Sequence, residues 1–94
     1  MTFSLDNREK QILLQTAREA ISARLEGREG EYPEPTGNLK TRCGAFVTLH
    51  KGKKLRGCIG QIYGRNQLFP TIKSMAVSSA FGDPRFPPLL ASEL

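Results

Sequence analysis

Tryptophan is absent from the chain, histidine occurs once and cysteine twice. A single imidazole, His50, and two separated thiols, Cys43 and Cys58, do not make a zinc ligand set. Two cysteines are also too few for a disulfide-stapled scaffold, so reduced thiols in a cytoplasmic protein are expected. Apolar runs extend only a few residues, far short of the roughly 20 that span a bilayer, so no membrane segment is expected. Asp6, Arg8, Glu9 and Lys10 stand where a secretion signal would carry its apolar stretch, which argues against export. Gly57-Cys58-Ile59-Gly60 lacks the lysine and the helix start of a phosphate-binding loop. No metal and no cofactor are expected.

Acidic residues are scarce in the second part of the chain. Residues 1–34 carry five basic and seven acidic side chains, a sum of −2, and residues 35–94 carry nine and two, a sum of +7. Between Lys40 and Arg56 lie six cations and no carboxylate. This basic stretch fits an anionic ligand, a nucleic acid or an acidic partner. It equally fits a solvated hairpin tip guarded by lysines. At 94 residues, 38% hydrophobic and 24% charged, the chain is long enough for one small domain at most.

Ser4 is the expected N-cap of a first helix, with Asp6 and Glu9 in its first turn. Leu5, Ile12, Leu13, Ala17, Ala20, Ile21 and Leu25 form its apolar stripe, and Gly27 is its stop. Residues 27–42, broken by Gly27, Gly30, Pro33, Pro35 and Gly37, read as a long acidic loop. Cys43–His50 and Leu55–Tyr63 read as two strands joined through Lys51-Gly52-Lys53-Lys54, a β-hairpin. With a tight turn at Gly52, regular alternation places Arg56 and Cys58 on the face of Val47 and Leu49. Phe46 then faces the other way with Leu55 and Ile59 and is expected to be core. His50 falls opposite Cys58, which argues against a Cys–His dyad. A second helix is predicted from Gln67 to about Ala80, with Pro70 in its first turn and Gly82-Asp83-Pro84 ending it. The fold class is α+β, an antiparallel hairpin flanked by helices. One hairpin and two helices make a thin core. Either more chain completes the sheet, or its unpaired edge joins a second copy in a homo-oligomer.

The chemistry concentrates in Leu55-Arg56-Gly57-Cys58-Ile59-Gly60. Glycine weakens a strand and adds nothing to packing, so two of them point to a bulge or a close backbone approach. Cys58 is the candidate nucleophile, its thiolate favoured by Arg56 if the two point the same way. The structural alternative is a buried cysteine acting as a small hydrophobe. Arg56 suits a phosphate or carboxylate, or else an internal ion pair with Asp83 or a loop glutamate. Asp83 and Arg85 either pair to hold the Pro84 turn or line a cleft opposite the hairpin. Ser78 and Ser79 read as small packing residues or as hydroxyls facing that cleft.

Cys43–Leu49, Leu55–Gly60 and Ser79-Ala80-Phe81-Gly82-Asp83-Pro84-Arg85-Phe86-Pro87-Pro88 together resemble the AMMECR1 domain family. The LRGCIG stretch and the SAF-x-DPRFPP stretch are that family's two signatures, here in the right order with a helix between them. The resemblance covers nearly the whole of 1–94. It implies an α+β fold and departs from the family in lacking a long second half. It also implies a radical SAM protein and a Memo-like protein as partners. One functional expectation follows: a small-molecule-handling or modifying component with a cleft built from Arg56, Gly57, Cys58, Gly60, Asp83 and Arg85. The alternative is a nucleic-acid or protein binding module using the basic hairpin, with Phe46 and Tyr63 nearby.

Overall fold

The computed structural model describes residues 6–35, 37–42, 44–61 and 67–93. Ser4, Leu5, Cys43 and Tyr63 lie outside the described residues. Helix α1 spans Asn7–Glu26. Its N-cap is Asp6 rather than the expected Ser4, and the reason is a reciprocal pair of hydrogen bonds. Glu9 N–H donates to Asp6 Oδ1 at 2.7 Å, and Asp6 N–H donates to Glu9 Oε1 at 3.1 Å. That satisfies two of the helix's orphan donors with two side chains. α1 ends, as expected, at Gly27, which takes the left-handed conformation at φ 66°.

Helix α2, Leu68–Phe81, begins and ends within a residue of its predicted bounds. It is buried on much of its circumference, through Leu68, Phe69, Thr71, Ile72, Ala76, Ser79 and Ala80. The cause is its position, because α2 packs against α1 on one side and the hairpin on the other. Leu13, Ala20 and Ile21 of α1 meet Ile72, Ala76 and Ala80 there, and Val47 and Leu89 close the same cluster. The loop after α1 folds back on it. Arg28 bonds Glu19 at 2.6 Å and also pairs with Glu26. The Tyr32 ring meets Phe69 edge-on at 6.1 Å. Within this loop, Gly37–Lys40 forms a 3-10 turn that buries Leu39 completely.

Strands β1, Ala45–Lys51, and β2, Lys54–Gln61, form a two-stranded antiparallel sheet. The fold is therefore α+β, as predicted. The register is not the regular one. His50 pairs with Leu55 but Leu49 pairs with Gly57, so a bulge leaves Arg56 as the extra residue of β2. Beyond it every pairing is displaced: Thr48 faces Cys58, Val47 faces Ile59 and Phe46 faces Gly60. Three expectations from regular alternation are thereby corrected. Cys58 lies on the Thr48 face and not with Val47. His50 shares that face with it. Ile59 sits with Val47 and not with Phe46. Phe46 itself is 62% exposed rather than core. The glycine-rich strand does carry the bulge that its composition announced.

Candidate functional site

The two motifs meet where the end of α2 crosses the hairpin. Ser79, 1% exposed, donates its hydroxyl to Val47 O at 2.7 Å and accepts from Ile59 N–H at 3.0 Å. One hydroxyl thus fastens both strands to the helix. The backbone comes equally close. A β-carbon at Gly57 would overlap the Ser79 carbonyl, so this position of β2 admits only glycine while α2 stays in place. At Gly60 a β-carbon would meet the Phe46 ring instead.

Asp83, 4% exposed, works on β2 from the turn after α2. Its Oδ2 accepts from Cys58 N–H at 3.0 Å and its Oδ1 from Arg85 N–H at 3.0 Å. Arg85 grips the same carboxylate with Nε at 3.1 Å and Nη2 at 2.8 Å, and Nη2 also reaches Cys58 O at 3.5 Å. The Arg85 guanidinium, reinforced by the Cys58 N–H, holds the Asp83 carboxyl well below the usual carboxylate range. Asp83 in turn raises Arg85. This settles the turn as an Asp83–Arg85 pair and anchors both ends of the Cys58 peptide unit to it.

Arg56 goes to the other side. Its side chain is 10% exposed. Nε donates to Glu93 Oε2 at 2.8 Å, and Nη2 donates to Glu93 Oε1 at 3.2 Å and to Pro87 O at 2.8 Å. Its partner is thus Glu93, where Asp83 or a loop glutamate was expected. The Phe86 ring lies between two guanidinium groups, 5.8 Å from Arg56 and 5.5 Å from Arg85. Arg56 Nη1 is buried without a hydrogen-bond partner among the described residues.

Of the predicted site residues, the structure brings Cys58, Asp83 and Arg85 together and sets Arg56 apart. Cys58 Sγ lies 3.3 Å from Thr48 Oγ1, half-buried on the face that carries Phe46 and His50. Arg56 lines a groove of about 340 Å³ between α1 and β1, which Phe46, Thr48 and His50 also line. Its walls are Leu13, Leu14, Ala17 and Ile21 on one side and Val47 and Leu49 on the other. Among the described residues no group of three or more His, Cys, Asp or Glu side chains comes together to hold a metal ion. No helix of the structure is long and apolar enough to cross a membrane.

Three contributors were not read from the sequence: Thr48, Glu93 and the hydroxyl of Ser79 as a strand clamp. Glu93 left a signal in the charge tally. After Glu34 the only carboxylates are Asp83 and Glu93, and with Asp83 held by Arg85 the remaining one is left for Arg56.

These pairs carry a pH dependence. Arg56 holds Glu93 down from 4.5 to about 2, helped by Leu90 N–H. Arg28 holds Glu19 down to about 2, helped by Glu31 N–H. An unfolded chain titrates these carboxyls near 4.5, so the folded state is favoured by them above that pH. The advantage disappears as pH falls from about 4.5 through about 2. Urea midpoints are therefore expected to hold from pH 7 to 5 and to drop steeply below 4.5, with Glu19→Gln flattening part of the drop.

Comparison with known proteins places this arrangement. The chain matches the AMMECR1 family over residues 14–94. The Nanoarchaeum equitans protein NEQ441 is 40% identical over 84 residues, covering 87% of this chain and 47% of the relative. A protein of Methanothermobacter thermautotrophicus is 39% identical over 92 residues, covering 96% of this chain and 48% of the relative. A crystal structure of an uncharacterized Pyrococcus horikoshii protein, PH0010, superposes with a TM-score of 0.87 at 36% identity. It covers 97% of this chain and 48% of that one. The chain thus spans about half the length of the curated relatives it matches. With both motifs interlocked and the fold shared, the chain belongs to the AMMECR1 family.

Proposed function

We propose that the chain carries the thiol-bearing face of a small-molecule-handling or modifying protein of the AMMECR1 type. It would work with a radical SAM protein and a Memo-like protein. The observation that carries this reading is the setting of Cys58. Its Sγ touches Thr48 Oγ1 on the face turned away from α2, and its carbonyl is met by Arg85. Arg85 is 56% exposed on its side chain and already oriented by Asp83. It therefore supplies a fixed cation next to the Cys58 carbonyl for a carboxylate or phosphate of a small substrate. Gly57, Asp83 and Ser79 hold this face in place, and Gly60 leaves room on it for the Phe46 ring. Arg56 supports it from behind through Glu93. Iodoacetamide is expected to alkylate Cys58 in the folded protein, mapped by peptide mass spectrometry to separate it from Cys43. A thiol that reacts only after denaturant is added would remove the nucleophile reading.

A second reading has its own observation. Lys51, Lys53 and Lys54 are exposed at the hairpin tip, and Phe46 stands exposed on the same hairpin. Cations beside an open aromatic ring suit single-stranded nucleic acid. Fluorescent oligo-U is expected to bind at low salt and to release as salt rises, with Lys53→Glu and Lys54→Glu weakening it. A flat titration at low ionic strength would remove this reading.

A further inference from the structure

We infer that the groove between α1 and β1 is a binding site for a single-chain amphipathic carboxylate, a molecule apolar along its length and charged at one end. The groove measures about 340 Å³, within the range of roughly 300–1,000 Å³ found for small-molecule sites. Leu13, Leu14, Ala17 and Ile21 line it from α1, and Val47 and Leu49 line it from β1. Leu14 and Phe46 line it while staying 73% and 62% exposed. Large apolar side chains left open beside an apolar hollow favour an apolar occupant.

Charge selects the kind of occupant. The lining carries Arg18, Lys51 and Arg56 against a single carboxylate, Glu93. Lys51 and Arg56 gather with Glu93 at the hairpin-tip end of the groove. Glu93 Oε2 lies 2.8 Å from Arg56 Nε and 3.6 Å from Lys51 Nζ. This end therefore already holds one carboxylate, supplied by the chain itself, and it has capacity for another. The Lys51 side chain is 67% exposed. Arg56, nine-tenths buried, keeps Nη1 without a hydrogen-bond partner among the described residues.

From Lys51, β1 runs roughly 16 Å back to Phe46. The cationic end and the open aromatic end are thus separated by about the length of an extended medium acyl chain. A ligand with its head on Lys51 and its tail against Leu14 and Phe46 suits both ends, since the charge stays paired and only apolar groups leave water. A second copy of this chain suits the groove less well. Each copy carries a net charge of +5, so two copies meet across a cationic lining. The site is separate from the thiol, since Cys58 does not line the groove, and binding there is read without any reaction at Cys58.

The test titrates decanoate, below its micelle concentration, into the 94-residue chain by calorimetry, with decan-1-ol as the tail alone and acetate as the head alone. One decanoate per chain is expected, with decan-1-ol about 10-fold weaker and acetate giving no measurable heat. Lys51→Glu is expected to weaken decanoate about 10-fold and to leave decan-1-ol unchanged. Leu14→Asp is expected to weaken both ligands by about 10-fold or more. Arg8→Glu makes the same charge change as Lys51→Glu but off the groove lining, and both ligands are expected to bind it as they bind the unsubstituted chain. Leu14 and Lys51 are exposed, so their variants are expected to keep the circular dichroism of the unsubstituted chain. Methyl NMR locates the ligand without any variant, through shifts expected at Leu13, Ile21 and Val47. Absence of saturable binding, equal weakening by Lys51→Glu and Arg8→Glu, or methyl shifts confined to residues outside the groove would overturn the inference. So would a dimer in light scattering that decanoate fails to dissociate, which gives the groove to a second copy.

Discussion

Gly57→Ala is expected to cost about 3–4 kcal/mol, the upper range for one substitution, and to lower the urea midpoint sharply at neutral pH. The added methyl overlaps the Ser79 carbonyl, which is main chain inside a helix and cannot rotate away. To make room, α2 has to withdraw from the hairpin. Ser79 then loses its bonds to Val47 O and Ile59 N–H, and Asp83 loses its bond to Cys58 N–H. A domain of this size holds only about 5–10 kcal/mol in total. Gly60→Ala is the control. Its methyl meets the Phe46 ring, a side chain with open space around it, so a loss within about 1 kcal/mol is expected. Urea denaturation followed by circular dichroism compares the two. Equal losses would show that strand propensity, and not the crossing of α2, sets the requirement at position 57.

Removal of Glu93 is the second large effect. Glu93→Leu leaves the Arg56 guanidinium buried against Phe86 and Pro87 without its carboxylate. An uncompensated buried charge costs more than a missing pair, because desolvation remains while the attraction is gone. The urea midpoint is therefore expected to fall further in Glu93→Leu than in the double variant Arg56→Met, Glu93→Leu. The double variant replaces the pair with apolar volume. If the single and double variants unfold together, the ion pair contributes no more than packing. Iodoacetamide labelling of Cys58 in the double variant provides a second readout. Arg56 faces the groove and Cys58 Sγ faces Thr48, so the labelling rate is expected to stay that of the unsubstituted chain.

These two variants bear on how the segments Leu55–Gly60 and Asp83–Pro88 are joined. LRGCIG and DPRFPP are halves of one joint. Gly57 admits the helix and Ser79 clamps the strands. Asp83 caps the Cys58 amide, and Arg56 fixes the segment from Pro87 to Glu93. Among the groups of this set that carry a thiol or a charge, Cys58 is half-buried and Arg85 exposed, whereas Arg56 and Asp83 are buried. The thiol and one guanidinium are thus displayed by a frame made from the other motif residues.

Local rules sufficed for much of the chain. The apolar stripes gave both helices, because 3.6-residue periodicity is a property of the chain alone. Gly27 and Gly52 marked a helix end and the hairpin turn through their left-handed φ values of 66° and 63°, which ordinary side chains resist. The glycines at 57 and 60 correctly announced a bulge and a close approach. The first cap was misplaced by two residues, from Ser4 to Asp6, because serine and aspartate compete for the same role. The reciprocal bond to Glu9 decided between them.

What the residues alone could not supply was parity along β2. A bulge adds one residue, and since strand side chains alternate with a period of two, that one residue turns everything beyond it to the opposite face. The bulge at Arg56 goes with contacts of that side chain to Pro87 and Glu93, which lie 31 and 37 residues away in sequence. Cys58 accordingly sits with Thr48 and His50 rather than behind them, and Arg56 belongs to a different surface. Sequence pattern determined which segments are helix and strand; the packing of the C-terminal segment against β2 determined which side of the strand each reactive group faces.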